Sequence, residues 1–197
     1  MSHYYSENQD VPHSRKEVTF RLLGVSITLI TDSGIFSKDH LDPGSELLLE
    51  NIVKKPNIET FCDIGCGYGA IGITVKKIFP QCEVTMSDIN QRAVETAKEN
   101  CIRNNVQCEV IHSDGFEKIS KKFDMIAINP PIRAGKATVY RLFEETVSHL
   151  NIDGTLLVVI RKQHGAQSAK AKLAELFGNC EMIDRSKGYW ILQSNKH

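Results

Sequence analysis

The sequence predicts an α/β protein built on a doubly wound, mostly parallel sheet, and three observations carry that expectation. Strand-like apolar runs alternate with helical stretches from residue 56 onward. Several of those runs end in turns rich in glycine, aspartate or proline. The length of 197 residues suits one domain.

Taken in order, residues 1–15 are polar and read as a flexible amino-terminal arm. Glu17–Leu23 and Val25–Thr31 read as two strands around Gly24, a β-hairpin extension spanning residues 16–31. Residues 32–55 read as a loop containing Gly34 and then a helix. Asp42 is its N-cap and Pro43 its first residue, with Leu47, Leu48 and Ile52 on an apolar side that runs to about Lys55. Residues 56–197 form the core of the same single domain. Its strand-like runs are Thr60–Ile64, Glu83–Met86, Cys108–Ile111, Phe123–Ile128, Thr155–Ile160 and Tyr189–Gln193, with a weaker one at Cys180–Ile183. The helical stretches are Ala70–Phe79, Gln91–Asn104, Ala137–Leu150 and Ala166–Phe177, with a short turn near Phe116–Ile119. Seven strands alternating with helices describe a Rossmann-like, seven-stranded sheet.

Composition narrows the class. Hydrophobic residues make up 41% and charged residues 24%, as in ordinary soluble domains. No apolar run reaches the length of a membrane span, and the start MSHYYSENQD lacks the features of a signal peptide, so the expectation is a cytoplasmic protein without a membrane partner. Six cysteines include no Cys-x-x-Cys pair and no zinc spacing, so no metal is expected and the thiols read as reduced, buried small residues. The 24 basic and 24 acidic residues balance, yet residues 1–100 hold 10 basic and 14 acidic side chains and residues 101–197 hold 14 and 10. That basic bias in the second half is compatible with an RNA-facing surface, and equally with a solvated face. Oligomeric state is not legible at this level.

Ligands of such sheets bind beyond the carboxyl ends of the strands, so the loops following strands carry the chemistry. The first is Asp63-Ile64-Gly65-Cys66-Gly67-Tyr68-Gly69-Ala70. Its glycines permit a tight turn and close backbone approach, and the helix it opens favours anionic groups. Asp63 before the glycines would repel a pyrophosphate but suits the ammonium of an amino-acid moiety. That counts against a nicotinamide or flavin oxidoreductase. The second loop is Ser87-Asp88-Ile89-Asn90, in which Asn90 caps the next helix and Asp88 is free for two ribose hydroxyls. The third is Ser113-Asp114-Gly115-Phe116, where Asp114 can accept from an adenine amine and Phe116 can lie along the ring. The fourth is Asn129-Pro130-Pro131-Ile132. Its two prolines make a rigid turn, and the Asn129 side-chain carbonyl with the Pro130 backbone carbonyl can accept both hydrogens of one planar amino group.

In that order and spacing the four loops resemble a class I S-adenosylmethionine-dependent methyltransferase, and the asparagine-proline-proline loop is similar to those acting on exocyclic or amide nitrogen. Gly34-Ile35-Phe36-Ser37 with Leu41-Asp42-x-Gly44-Ser45 resembles the small-subunit ribosomal RNA guanine-N2 methyltransferase C family. His3-Tyr4-Tyr5-Ser6 and the segment from Asn129 to Lys136 look like its single-domain relatives, which correspond to the catalytic half of the longer, duplicated members. The resemblance implies S-adenosylmethionine as cofactor, with Phe36, Ser37 and Asp42 as the near wall of its site. It also implies methyl transfer to a guanine N2 of small-subunit ribosomal RNA, naked or in an assembled subunit, with no metal. Adenine N6, another RNA or a protein glutamine are alternatives within the same chemistry, and a non-catalytic RNA-binding domain is one outside it. Ile132 stands where many nitrogen methyltransferases carry an aromatic residue, which leaves Phe36 or Tyr140 to stack on the base. Arg133, Lys136 and Arg141 after the fourth loop, and Arg161, Lys162, His164 and Lys170 after the next strand, are candidates for RNA phosphates.

Overall fold

The computed structural model describes residues 15–31, 41–55, 57–131 and 134–197; residues 1–14 of the expected arm and the Gly34 loop lie outside them. Strands β1 (Lys16–Leu22) and β2 (Val25–Thr31) form an antiparallel hairpin. Its two-residue turn, Leu23-Gly24, has positive φ at both positions (51° and 83°), the backbone twist that suits tightly joined strands.

After helix α1 (Pro43–Ile52) the chain alternates through β3 (Thr60–Ile64), α2 (Ala70–Ile78), β4 (Glu83–Asp88), α3 (Gln91–Arg103), β5 (Glu109–His112) and β6 (Phe123–Ile128). It then runs through α4 (Lys136–His149), β7 (Leu150–Arg161), a single 3-10 turn at Lys162–His164, α5 (Ala166–Phe177), β8 (Glu181–Ser186) and β9 (Tyr189–Asn195). The seven-stranded sheet is ordered β5-β4-β3-β6-β7-β9-β8. Strands β3 to β7 are parallel, whereas β9 runs antiparallel to β7 and β8 antiparallel to β9. The expected fold class is therefore the observed one.

The strands read as continuous apolar runs because both faces of the sheet are covered. On one face Phe61, Met125, Ala127, Leu157 and Val159 pack with α1, α2, α3 and the hairpin residues Ile27 and Leu29. On the other, Cys62, Ile64, Ile126, Ile128, Leu156, Val158 and Ile160 pack with α4 and α5. Among the described residues no helix is long and apolar enough to cross a membrane.

Most boundaries shift from expectation by a residue or two, and β8 runs on to Ser186 rather than ending at Ile183; three of the differences have a local cause. Helix α1 ends at Ile52 rather than about Lys55, since Pro56 disfavours a helical backbone at the residue before it. Strand β7 begins at Leu150 rather than Thr155, because a register shift between Phe123 and Met125 in β6 lets Leu150 pair with Phe123. Asp153 (φ 63°) and Gly154 absorb the irregularity; a Cβ on Gly154 would stand 2.8 Å from the Asn151 carbonyl. Strand β4 continues to Asp88, held by pairing of Asp88 with His112.

Two asparagines one turn apart, Asn100 on α3 and Asn104 at its C-cap, hold the hairpin. Asn100 accepts from the Ile30 N–H (2.7 Å) and donates to the Ile30 carbonyl (2.9 Å). Asn104 does the same with Thr28, at 3.1 and 2.7 Å. Their side-chain amides thus stand in for a neighbouring strand along the outer edge of β2. Asn100, fully buried, also donates to the Tyr68 carbonyl (2.9 Å), joining the hairpin to the loop after β3. Replacing Asn100 by alanine strands the Ile30 groups and the Tyr68 carbonyl in the interior. The expected result is a loss of about 3 kcal/mol in urea unfolding, far beyond that of an exposed α3 substitution such as Gln91→Ala.

Candidate active site

Strand β3 pairs with β4 on one side and β6 on the other, and the connections after β3 and β6 lead to helices on opposite faces. The loops therefore diverge and open a crevice at the carboxyl edge between them.

The loop after β3 is held by its own backbone. The Gly65 and Cys66 N–H groups both donate to the Ser87 carbonyl (2.9 Å each), and the Gly69 N–H donates to the Cys66 carbonyl (2.9 Å). Gly65, Gly67 and Gly69 all have positive φ (73°, 55° and 88°), a region closed to most side chains. The tightest approach lies beyond them at Gly72, where a Cβ would stand 2.4 Å from the Met86 sulfur, so α2 lies directly on β4.

Asp63 is only 1% exposed and accepts from the Gly72 N–H (3.1 Å). It stands beneath the glycine loop and braces the start of α2, one layer back from the crevice. Burial, reinforced by the nearby Asp88 carboxylate and opposed by the Gly72 N–H, pushes its carboxyl up to about 7. Burial likewise pushes the Cys62 and Cys66 thiols up, which leaves them protonated and unreactive. All six cysteines are free, four of them buried and Cys108 and Cys180 partly so. Burial, with the Asp42 carboxylate nearby, raises the Tyr68 phenol as well.

At the end of β4 one Asp88 oxygen accepts from the Gly67 N–H (2.8 Å) and the other from the Asn90 N–H (2.8 Å). Burial raises its carboxyl and these N–H donors counter that. A carboxylate has about four acceptor positions, so two of them remain for a ligand. Asn90 caps α3 by accepting from the Arg92 N–H (3.0 Å), and the Ile89 carbonyl is bound to the His112 ring (2.8 Å). After β5, Ser113 is buried and accepts from the Lys118 N–H (3.1 Å), closing the turn. Asp114 pairs with Arg141 (2.5 Å), and Glu145, one turn further along α4, binds both Arg141 (2.7 Å) and the Phe116 N–H (3.2 Å). Gly115 is a glycine for this reason. Its φ is 54°, and a Cβ there would stand 2.3 Å from the Glu145 carboxylate.

After β6, Asn129 donates through its side-chain nitrogen to the Ser45 hydroxyl (3.0 Å) and, more distantly, to the Asp42 carboxylate (3.5 Å). Asp42 is the N-cap of α1 as expected, accepting from the Gly44 and Ser45 N–H groups at 3.0 and 3.2 Å. With its nitrogen turned to α1, the Asn129 side-chain oxygen is presented the other way.

Several expectations change. Phe116 is buried and stacks on His149 with ring centroids 4.3 Å apart, because the turn at Gly115 aims it into the core; it cannot lie along an adenine. Tyr140 donates to the Ser168 carbonyl (3.0 Å), committing it to the packing of α4 on α5 rather than to base stacking. Arg141, whose side chain stays partly exposed, is ion-paired with Asp114 and Glu145, because a residue one turn before Glu145 on α4 faces the loop after β5. Phe36, Ser37, Ile132 and Arg133 lie outside the described residues. Lys136 lies over the Tyr140 ring (5.0 Å), and Arg161 lies over the Tyr189 ring (4.8 Å) with exposed Lys162 beside it.

Sequence reasoning missed residues that only topology brings to this edge. The turn between β8 and β9 carries exposed Arg185 and Lys187, and it meets β7 where the Lys162 N–H donates to the Gly188 carbonyl (2.9 Å). Tyr189 packs so closely on α1 that a Cβ on Gly44 would stand 2.7 Å from its ring. The basic turn was visible as Arg185-Ser186-Lys187-Gly188; its neighbour was not. No group of three potential metal ligands occurs among the described residues.

The sheet order, the glycine loop under α2 and the acidic residues at the ends of β4 and β5 define a class I S-adenosylmethionine-dependent methyltransferase. The chain belongs to the methyltransferase small domain family, whose sequence profile matches residues 26–193. It is 40% identical to the Bacillus subtilis protein YbxB over 98% of both chains. It is 38% identical to ribosomal RNA small subunit methyltransferase C of Haemophilus influenzae over 79% of this chain and 49% of that one. The chain thus spans about half the length of that relative. Among solved structures, a Thermus thermophilus 16S rRNA N2 methyltransferase in complex with AdoMet and guanosine superimposes with a TM-score of 0.84 at 24% identity, covering 98% of this chain and 53% of that one.

The Asp63 carboxyl ionises near 3.8 in an ordinary setting and near 7 in the fold. Between those values the folded state holds the extra proton, so this group lowers stability as pH rises and levels off above about 7. The full effect is on the order of 4 kcal/mol. Asp63→Asn should remove that slope, and urea midpoints of the two ligand-free proteins at pH 5 and pH 8 measure the difference.

Proposed function

We propose that this protein transfers a methyl group from S-adenosylmethionine to an exocyclic base amine of RNA, namely guanine N2 in small-subunit ribosomal RNA. The observation that carries the reading is the fixed Asn129 amide at the strand switch point, its nitrogen held by Ser45 and Asp42. That leaves the side-chain oxygen and the Pro130 carbonyl as two adjacent acceptors for one amino group. The relatives named ribosomal RNA small subunit methyltransferase C support the choice of RNA, and the choice of base is what the resemblance of the sequence implies.

The site fits the cofactor on its own geometry. Asp88 keeps acceptor positions for two ribose hydroxyls, and the loop after β3 exposes backbone with nothing within 4 Å of a Cβ at Gly65. Asp114, held by Arg141, is the acceptor for the adenine amine in this reading. Asp63 acts on the methionine portion from beneath the loop, by bracing the start of α2 through the Gly72 N–H. When bound, the cofactor supplies an electrophilic sulfonium methyl: the new carbon–nitrogen bond forms as the carbon–sulfur bond breaks, and the electron pair leaves with sulfur.

Asn129 and Pro130 accept the two amine hydrogens, which draws the nitrogen lone pair out of conjugation with the base ring and aims it at the methyl. No strong base is required, because the amine proton becomes acidic only after transfer and can pass to water. Lys136, Arg161 and Lys162, with Arg185 and Lys187 beside them, form the basic rim that holds RNA phosphates. A cytoplasmic setting suits the free cysteines.

The test supplies methyl-labelled S-adenosylmethionine with separated RNAs and ribosomal subunits, followed by nucleoside analysis. The expected product is N2-methylguanosine in small-subunit RNA. Asn129→Ala should cut turnover by about 100-fold or more while cofactor affinity stays near wild type. Label in N6-methyladenosine or in a protein would move the substrate and keep the chemistry.

A further inference from the structure

Asparagine has two nearly isosteric ends, one an acceptor and one a pair of donors, and its neighbours decide which faces a ligand. We infer that Asp42 and Ser45 are positioning residues for methyl transfer, selecting the rotamer of Asn129 that turns its oxygen toward the substrate amine. This rests on the proposed role of Asn129.

Three features of the contact carry the inference. Asp42 and Ser45 are 9% and 5% exposed, so water does not compete well for the Asn129 nitrogen. The Asp42 carboxylate cannot swing away, because one of its oxygens is bound by the Gly44 and Ser45 N–H groups while the other faces Asn129. A flip of the amide would set its oxygen against a carboxylate in a poorly hydrated place and turn its N–H donors toward the donors of the substrate amine. Both changes oppose catalysis, so one orientation prevails. Ser45 makes the shorter hydrogen bond and Asp42 supplies the charge.

Capping of α1 does not account for the charge. Asparagine caps a helix about as well as aspartate does, and the cap uses one Asp42 oxygen only. The second oxygen is directed across 87 residues of sequence at the reacting loop. Ser45 lies in the first turn of α1, where its hydroxyl serves no capping purpose: Asp42 already accepts from the Ser45 N–H.

The test compares Asp42→Asn, Ser45→Ala, Ser45→Thr, Asn129→Asp and the double variant Asp42→Asn with Asn129→Asp. Asp42→Asn keeps the cap but puts a donor against a donor, which flips the Asn129 amide. The expectation is a fall in kcat of about tenfold or more with cofactor Kd, read by calorimetry, within about twofold of wild type. Ser45→Ala should lower kcat in the same manner and Ser45→Thr should retain it. Asn129→Asp alone sets two carboxylates against each other. In the double variant the introduced amide donates to the introduced carboxylate, whose second oxygen faces the substrate amine, so its kcat should exceed that of either single variant.

An independent readout needs no substrate. The Asn129 side-chain amide, assigned in nitrogen-15 spectra by its loss in Asn129→Ala, should exchange slowly with solvent in the wild type and at least about tenfold faster in Asp42→Asn. Wild-type kcat in Asp42→Asn, an unchanged Asn129 amide, or a double variant no better than the singles would each overturn the inference. So would a cofactor Kd raised tenfold at unchanged kcat, which would make Asp42 part of the cofactor wall. If no RNA accepts a methyl group from the wild type while the amide responds as expected, the proposed substrate fails and the positioning of Asn129 stands.

Discussion

The parallel pairing of β3 with both β4 and β6 is the constraint on which the rest of the molecule depends. Phe61, Cys62 and Ile64 are hydrogen-bonded in register on both edges and almost wholly buried, so the first turn of the crevice starts from the best-anchored strand of the sheet. Because α2 returns on one face and α4 on the other, the backbone cannot close over the strand ends. The glycine loop, Asp88 and Asn129 all inherit their positions from that divergence. Even the loop's hydrogen bonds reach sideways to the next strand, since Gly65 and Cys66 both donate to the Ser87 carbonyl.

A second layer of contacts draws the amino-terminal segment onto this frame. Asn100 and Asn104 finish the edge of β2, and Asn100 touches the glycine loop as well. Helix α1 is held at one end by Asn51 and Lys54 on Asp184 (2.9 and 3.3 Å) and at the other by Gly44 on Tyr189. Residues near both ends of the sequence thereby meet over the carboxyl edge, where the α1 N-terminus faces the loop after β6. This is how a helix cap comes to stand beside the Asn129 amide.

Helix α4 serves two sites at once. Its first turn follows the loop after β6, while Arg141 and Glu145 clamp the loop after β5 from the side. The loops after β5 and β6 therefore share one helix.

The sequence by itself determined the order and kind of the elements and the loops that matter. Alternating apolar runs, an Asp-Pro helix start and strand-ending glycines or prolines are local signals, and local backbone energetics obey them: Asp42 and Asn90 both cap their helices, and β3 and β6 have the bounds read from their residues. Which way a side chain turns once it reaches the edge was decided only by tertiary structure. Phe116 and Tyr140 were read as ring or base contacts, and Phe116 stacks on His149 while the Tyr140 hydroxyl donates to the Ser168 carbonyl of α5; Arg141, partly exposed, also pairs with Glu145. The contacts of Asn129 with Ser45 and Asp42, and the meeting of Lys162 with Gly188, join residues far apart in the chain. No periodicity encodes such a contact, because it is set by how the sheet orders its strands and not by the propensity of either partner.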